Sequence, residues 1–458
     1  MADIGNPCKL NHIAARLWCG ANGGHHVQPE LFTADFKAEC YWWDRTPRPL
    51  PQRTLLPGKA DVVILGSGYT GLHAALQTAA GGRETVVIDA EDAGFGCSSR
   101  NGGQISTSVK PSFEALACRH GPERAFAIRK EGHNSLAFVK DFIRSKGIDC
   151  DLVERGRFHA AHSPAEYEAL AKALSSERQG LETQSQMVPR AEQRSEIGSD
   201  FYHGGIVNPQ HVSVDPARYH RGLLDLAEAG GVSIVTRCPA TAIEPADGGG
   251  FTVVTPNGRI TARDVLVATN GYTGPLTPWQ RRRVIPIGSY IIATEDLPEE
   301  QMRRLFPSGR HITDSRKVVF YYRASPDGKR ILFGGRVSLN ETDPRASGPK
   351  LRADLTRIFP ELANVRIARS WMGFVAYTFD ELAHVGRQDG LWYAMGYCGS
   401  GVGMGSYLGM RIGQQILGLK QGATAFDGLP FQTRPLYTGN PWFLAPSVLY
   451  YRWRDRMR

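Results

Sequence analysis

No apolar run in this sequence approaches the roughly 18 to 20 residues that a membrane-spanning helix needs, so such a span is not expected. Met1 to Leu10 has no basic stretch leading into an apolar one, which argues against a secretory leader. Cysteine is sparse: eight residues, at 8, 19, 40, 97, 118, 150, 238 and 398, with no CxxC pair. In a large chain without a leader, scattered cysteines point to reduced thiols and to the cytoplasm as compartment. His25-His26 has no third or fourth ligand at metal-binding spacing, so a loop is expected there and no metal. Lysine and arginine exceed the acids by 54 to 45, a net charge of +9, yet no long basic run is interleaved with aromatics. The short clusters are Arg281-Arg282-Arg283 and Arg452 to Arg458. This spread predicts a solvated surface with some pull on anionic ligands and no nucleic-acid partner. There is no internal repeat.

Hydrophobic residues at 41% and charged residues at 22% describe an ordinary globular protein, and 458 residues suit two or three subdomains. The most informative stretch is Asp61-Val-Val-Ile-Leu-Gly-Ser-Gly-Tyr-Thr-Gly71, followed by Thr85-Val-Val-Ile-Asp89. A strand-length apolar run ends in Gly66, Gly68 and Gly71, a helical stretch from Leu72 to Ala80 follows, and a second apolar run closes on an acid. Gly66 suits a tight turn, Gly68 a close backbone approach to a pyrophosphate, and Gly71 close helix–strand packing. The helix start, with Tyr69 and Thr70, would aim N–H groups and positive dipole at the phosphates. Asp89, eighteen residues after Gly71, is placed to accept from a ribose hydroxyl pair. The pattern predicts a dinucleotide cradle.

Along the rest of the chain, residues 1–60 read as an extended preamble, with four prolines between Thr46 and Pro57. Ala125 to Lys146 has helical periodicity. Asp215-Pro216 opens a helix that Gly230-Gly231 ends, and Val232 to Val235 is a strand. Phe251 to Val254 and Arg259 to Thr261 form a hairpin through Pro256-Asn257-Gly258, and Val265 to Thr269 is a buried parallel-type strand. Ile285 to Thr294, Lys317 to Arg323, Ile331 to Arg336 and Leu391 to Met395 are strands, and Val402 to Leu417 is a helix. The nucleotide-binding pieces thus alternate with strand-rich segments. Two discontinuous domains with a cleft between them are expected.

These motifs resemble the FAD-dependent amine and amino-acid oxidoreductases of the D-amino-acid oxidase/sarcosine oxidase superfamily, in particular the gamma-glutamylputrescine oxidase branch. Besides the fingerprint at 66–71, the resemblance rests on Cys97-Ser-Ser-Arg-Asn-Gly-Gly-Gln104, Ala268-Thr-Asn-Gly-Tyr-Thr-Gly274 and Ile285-Pro-Ile-Gly-Ser-Tyr-Ile-Ile-Ala-Thr-Glu295. Ile331-Leu-Phe-Gly-Gly-Arg336, Trp371-Met-Gly-Phe-Val-Ala-Tyr-Thr-Phe-Asp380 and Gly396-Tyr-Cys-Gly-Ser-Gly-Val-Gly403 complete it. The implied fold is α/β: a Rossmann-like FAD-binding domain of the glutathione-reductase type, with a discontinuous antiparallel-sheet substrate domain. The expected division is 1–60 as N-terminal extension, 61–149, 213–282 and 376–425 as FAD-binding domain, 150–212 and 283–375 as substrate domain, and 426–458 as C-terminal tail.

The resemblance implies FAD contacts from Ser98, Ser99, Arg100, Asn101, Gly102 and Gly103 in the turn after the second strand. Ala240 would hold adenine through its backbone, and Thr269 and Asn270 would close over the ribityl–pyrophosphate region. Gly399, Gly401, Val402 and Gly403 start a helix whose N-terminus would favour the electron-rich end of a reduced flavin. That second glycine-rich helix start prefers FAD over NAD. Val375 stands where sarcosine oxidases carry the cysteine that links the flavin, so FAD should be non-covalent. The carboxylate clamp of those enzymes aligns near Ser106 and Gly403, neither charged, with Arg323 and Arg336 as conceivable substitutes. The lysine that assists oxygen aligns near Leu332.

The implied reaction is oxidation of an amine C–N bond, gamma-glutamylputrescine-like, by hydride transfer to flavin. The imine hydrolyses to an aldehyde, and electrons pass to oxygen, giving peroxide, or to another acceptor. Tyr290, Tyr321, Tyr322 and Trp371 are candidates to line the flavin face, where an aromatic wall suits an amine. His384 is as well explained by a structural hydrogen bond as by a site role. The alternatives are an enzyme for N-methyl amino acids, opines or other secondary amines, and a non-enzymatic scaffold of this fold.

Overall fold

The computed structural model describes residues 29–49, 54–335 and 343–457. The chain enters through strand β1 (Phe32–Lys37) and helix α1 (Tyr41–Arg45), then forms β2 (Lys59–Leu65), α2 (Tyr69–Ala80) and β3 (Thr85–Ile88). Helix α3 (Pro122–Lys146) leads to β4 (Arg157–Ala160), β5 (Gln186–Val188) and β6 (Gly205–Asn208). Helix α4 (Pro216–Ala229) follows, then β7 (Ser233–Val235), β8 (Ala242–Pro245), β9 (Phe251–Thr255) and β10 (Gly258–Val267). Strands β11 (Ile285–Thr294), β12 (His311–Asp314), β13 (Tyr321–Ala324) and β14 (Ile331–Gly335) precede α5 (Pro344–Ile358). The last elements used below are β15 (Ile367–Tyr377), β16 (His384–Gln388), β17 (Leu391–Met395) and α6 (Gly401–Ile416).

One sheet runs β8-β9-β10-β2-β3-β7, with β17 on β10 and β16 on β17. Strands β7, β3, β2, β10 and β17 are mutually parallel, so their C-terminal ends share one edge. Both faces of β2 and β3 are buried, which explains their unbroken apolar runs. The expected hairpin strand at 259–261 and the parallel strand at 265–269 are one continuous strand, β10. Its first half pairs antiparallel with β9 and its second half parallel with β2. Charged Arg263-Asp264 made it read as two. Asp264 in fact accepts from Trp392 Nε1 (2.9 Å) and from Arg263 Nε (2.7 Å).

Helix α6 lies on α2 through glycines spaced four apart, which leave a flat stripe. A Cβ on Gly409 would stand 2.5 Å from the Thr70 carbonyl oxygen, and one on Gly413 would stand 2.8 Å from that of Ala74. Asp215 caps α4, its carboxylate accepting from Ala217 N (3.0 Å) and Arg218 N (3.1 Å), as the Asp-Pro signal predicts.

The second sheet has nine strands in the order β1-β15-β11-β14-β13-β12-β4-β6-β5. Strand alternation gives it two different faces. Phe158, Tyr290, Ile292, Ile312, Tyr322, Phe333 and Met372 turn toward Leu351, Leu355 and Ile358 of α5 and form one core. Ile291, Tyr321, Leu332 and Trp371 turn the other way, toward Trp42. The segment expected as an N-terminal extension is part of this architecture. Strand β1 pairs with β15, and Trp42 of α1 is fully buried.

Among the described residues no helix is long and apolar enough to cross a membrane.

Candidate active site

The parallel strands of the first sheet deliver four turns to one edge, the place where doubly wound sheets bind ligands. The first is the glycine turn after β2. Gly66 adopts φ +108°, which an L side chain rarely does. A Cβ on Gly71 would meet the Gly66 carbonyl oxygen at 1.9 Å, so helix and strand touch backbone to backbone. Gly68 caps α2 with no side-chain hydrogen bond. Ser98 Oγ stands over this helix start, accepting from Tyr69 N at 3.0 Å. The side chains of Tyr69 and Thr70 point inward: Tyr69 donates to Pro216 O (3.0 Å), and Thr70 Oγ1 bonds Tyr397 OH (2.7 Å). These two residues therefore have only backbone to offer a ligand.

Asp89 ends β3. Its Oδ2 accepts from Ser67 N (2.8 Å) and Ser67 Oγ (2.6 Å), and its Oδ1 from Glu91 N (3.0 Å). Burial raises its pKa above the ordinary value, and those hydrogen bonds oppose the rise. One acceptor direction on Oδ1 is left, which a ribose hydroxyl fits. Asp89→Ala should lower FAD affinity roughly 10- to 100-fold, since hydrogen bonds to a charged group are worth about 1.5–3 kcal/mol. Fluorescence titration of the apoprotein measures this; full flavin occupancy at unchanged affinity would remove Asp89 from the cradle.

The third group is the turn 97–104. Asn101 staples it, donating from Nδ2 to Cys97 O and Ser98 O (3.1 Å each) and accepting from Gly103 N at 2.8 Å. Ser99 and Arg100 both make contacts within the protein. Ser99 Oγ donates to Gly94 O and accepts from Trp43 Nε1 at 2.9 Å. The Arg100 guanidinium lies between the rings of Trp43 (4.6 Å) and Phe95 (4.2 Å) and donates to Met372 O. Arg100 was expected to contact FAD; its guanidinium lies against two aromatic faces, and its Nε is buried without a partner. Trp42 Nε1 donates to Asn101 O (2.9 Å) and Trp371 Nε1 to Arg100 O (2.8 Å). Arg45 anchors α1 to Asp215 and Asp151, at 2.9 Å each. Trp42 and Trp43 were missed in the sequence, although an aromatic triplet (Tyr41-Trp42-Trp43) in a proline-rich preamble was a usable signal.

Asn270 (φ +43°) follows β10 and accepts from Gly396 N at 2.9 Å, joining the ends of β10 and β17. Thr269 Oγ1 bonds Thr273 Oγ1 (2.8 Å), and Ala240 lies between β7 and β8. Helix α6 starts at Gly401 after Gly399 (φ +98°), and Ser400 Oγ donates to Ser108 O at 2.8 Å. A Cβ on Gly401 would meet nothing within 4 Å, so there is open space beside this helix start. Lys110 and Tyr377 reach this helix start: their Cε and OH would lie 3.9 and 3.8 Å from a Cβ on Gly399. Neither was singled out from sequence.

The four aromatic candidates separate by strand face. Tyr321 abuts the turn: a Cβ on Gly102 would be 3.1 Å from its ring, and its OH bonds Ser289 Oγ at 2.8 Å. Trp371 shares that face. Tyr290 and Tyr322 are fully buried on the opposite, α5-covered face, where Tyr322 OH donates to Tyr202 OH at 3.0 Å. They cannot line the flavin face, because neighbours such as 321 and 322 in a strand point to opposite sides. Burial raises the Tyr321 phenol's pKa, so it stays protonated.

Leu332 packs beside Trp371 in the apolar cluster. Position 403 points away from the ligand edge: a Cβ there would meet Ile105 and Ser135. Ser106 Oγ accepts from Ser108 N at 3.3 Å. Buried Arg323 donates to Val214 O (2.9 Å) and Ala324 O (3.2 Å) and so bridges the two halves; Arg336 lies outside the described residues. Buried His384 bonds Asp380 (3.1 Å) and stacks on Phe431 at 4.1 Å, a structural role. His25-His26 also lie outside the described residues.

This edge, with a glycine turn, a buried acid and a second glycine-rich helix start, is shaped to take a dinucleotide on an α/β body built around two large sheets. The chain belongs to the DAO family of FAD-dependent oxidoreductases, whose model matches residues 61–415. It is 33% identical over 428 residues to the probable oxidoreductase OrdL of Rhizobium meliloti (strain 1021), covering 91% of this chain and 97% of that protein. It is 30% identical to gamma-glutamylputrescine oxidoreductase of Escherichia coli (strain K12), covering 87% and 93% respectively. Among solved structures, glycine oxidase from Geobacillus kaustophilus shares the fold with a TM-score of 0.69 at 18% identity, over 83% of this chain and 99% of that one.

Proposed function

We propose that this FAD-dependent oxidoreductase oxidises the C–N bond of an amine with a remote polar or anionic end, of the gamma-glutamylputrescine kind, to an imine that hydrolyses to an aldehyde. The observation that carries the reading is the composition of the sheet face opposite the turn 97–104. By register the six strands β6, β4, β12, β13, β11 and β15 turn Asn208, Arg157, His159, His311, Thr313, Tyr321, Arg323, Ile291 and Trp371 to that face, and none of these side chains is acidic. The acids that act on Arg323, Asp215 and Asp151, are themselves paired with Arg45, so the wall favours the neutral amine that C–N oxidation requires. Tyr321 and Trp371 supply flat apolar surface for the reacting end, and the arginines suit an anionic far end. The 30% identity to gamma-glutamylputrescine oxidoreductase supports the same substrate class.

Bound FAD supplies the two-electron acceptor. The residues proposed to hold it are Gly66, Gly68, Gly71, Asp89 and Ser98, the backbone of Tyr69, Thr70, Gly102, Gly103, Ala240, Thr269 and Asn270, and the start of α6 at Gly399 to Gly403. Asn101 is proposed as the staple of the turn. Val375, on β15, fits non-covalent binding. We further propose a division in which the first sheet with α2, α3 and α6 forms the cofactor half, and the nine-stranded sheet with α5 the substrate half.

Anaerobic bleaching of the flavin tests the substrate class without assuming an electron acceptor. Acylated diamines such as gamma-glutamylputrescine should bleach the enzyme at millimolar concentration or below. Bleaching by sarcosine or D-alanine, with none by acylated diamines, would transfer the protein to the secondary-amine and amino-acid reading.

A further inference from the structure

Beside the aromatic wall, on the next three strands of the sheet, the same face carries buried donors without a partner among the described residues. Register places Asn208, Arg157 and His311 side by side on β6, β4 and β12, with His159 and Thr313 in the next row. His211, in the turn after β6, closes over them. Its ring is subject to the fields of Arg157, His311, His159 and His133. Asn208, His211 and His311 are 8%, 2% and 4% exposed. Asn208 Nδ2, His211 Nδ1, His311 Nε2 and Arg157 Nε are all buried without a hydrogen-bond partner. Arg157 makes no ion pair among the described residues, and no acid is among the groups acting on it.

Arg157 Nε and Asn208 Nδ2 are donors by their chemistry, and the proton position makes His211 Nδ1 a third. Thr107 N–H donates to His211 Nε2 at 3.3 Å, so the neutral ring carries its proton on Nδ1. His159 Nδ1 is held by Thr313 Oγ1 at 2.8 Å. Burial depresses all three histidines, that of His159 to about 3, so they are neutral and Arg157 supplies the cluster's charge. The three histidines do not form a metal-binding group among the described residues. One guanidinium flanked by neutral N–H donors matches a monoanion with two acceptor oxygens.

We propose that Arg157, with Asn208, His211 and His311, forms the subsite for the carboxylate at the far end of the substrate. The assignment rests on the amine-oxidation reading for what is attached to that carboxylate. Neighbouring strands lie about 4.8 Å apart, which sets Arg157 on β4 roughly 10 Å from the β13 backbone at Tyr321. An amine reacting beside Tyr321 would thus reach Arg157 with an acyl chain several atoms long, and a small α-amino acid would not. This distinguishes the subsite from a clamp on the carbon that reacts, and it replaces Arg323, whose Nε and one terminal nitrogen already bond Ala324 O and Val214 O.

The test uses the FAD-loaded enzyme with butyrate and its neutral isostere butyramide. Butyrate should perturb the flavin spectrum and raise the melting temperature, and butyramide should do neither. Arg157→Met should weaken butyrate at least about tenfold, Arg157→Lys less, and His311→Gln several-fold. Should R157M lose its flavin or fail to fold, His311→Gln and Asn208→Ala carry the same comparison. Unchanged butyrate affinity in the folded variants overturns the assignment, as does binding of inorganic phosphate in preference to butyrate. Because no turnover is involved, the amine reading and the subsite fail separately. Butyrate binding through Arg157 without bleaching by any amine would leave the subsite and remove the reaction; bleaching by acylated diamines without a butyrate effect would do the reverse.

Discussion

Gly71→Ala should yield a chain that neither folds stably nor retains FAD. The added Cβ would stand 1.9 Å from the carbonyl oxygen of Gly66 and 3.2 Å from Ile64 Cγ2. The first of these is backbone, held in the turn between β2 and α2, and cannot swing aside. Overpacking a well-filled core costs typically about 1–3 kcal/mol, and a fixed backbone clash belongs at or above the top of that range. The same change at Gly58 is the control, because a methyl group there meets nothing within 4 Å. Thermal unfolding of both variants decides the matter. G71A should be insoluble or melt many degrees below wild type, with G58A close to it. A G71A protein that melts with the wild type would show that helix and strand are not in contact at the cradle.

The second large effect is acid lability. His73, His159, His211, His220 and His311 are buried or enclosed, and desolvation lowers every one, His73 and His159 to about 3. On unfolding each returns to an ordinary value near 6.5 and takes up a proton once the pH is below that. The folded state then binds fewer protons than the unfolded one, so stability falls as pH falls. The loss starts near 6.5 and continues down toward the folded values, at up to about 1.4 kcal/mol per pH unit for each histidine. Asp314 works in the opposite sense: burial raises it to about 6, so its contribution to stability is greatest at low pH and fades as pH rises through 6. Asp89 and Asp215, also raised by burial, act in the same sense as Asp314; five histidines against them leave a net loss. The melting temperature should therefore drop sharply between pH 6.5 and 5, and His73→Gln should flatten the slope. A melting temperature flat over that range would mean that these rings are hydrated and titrate normally.

Much of the cofactor half was legible because its signals are local. Apolar runs bounded by glycine gave β2 and β3, Asp215-Pro216 gave the start of α4, and Ile285–Thr294 has the expected bounds. The substrate half was harder for a physical reason. Strands β11 and β13 are buried on both faces, so hydrophobicity carries no mark of which side meets the ligand. Tyr321 and Tyr322 looked equivalent for that reason, and only packing against Gly102 or Tyr202 separates them. Arg157 and the histidines were invisible as a group, since they come from β4, β6 and β12 with about 150 residues between the first and last. Trp42 and Trp43 act on partners more than fifty residues downstream, beyond any periodic pattern.

Strand β1 pairs in parallel with β15, so residue 32 and residue 367 are neighbours. During synthesis β1 therefore waits, undocked, until more than three hundred further residues have been made. Contacts of such sequence separation form late and slowly. Because α1 follows directly on β1 and carries the tryptophans that bind the 97–104 turn, the turn takes its final shape only when the two distant ends of the substrate sheet have met. The cradle is in this sense a timed assembly: flavin loading during refolding should lag the appearance of secondary structure, and a fusion that hinders β1 should lengthen that lag.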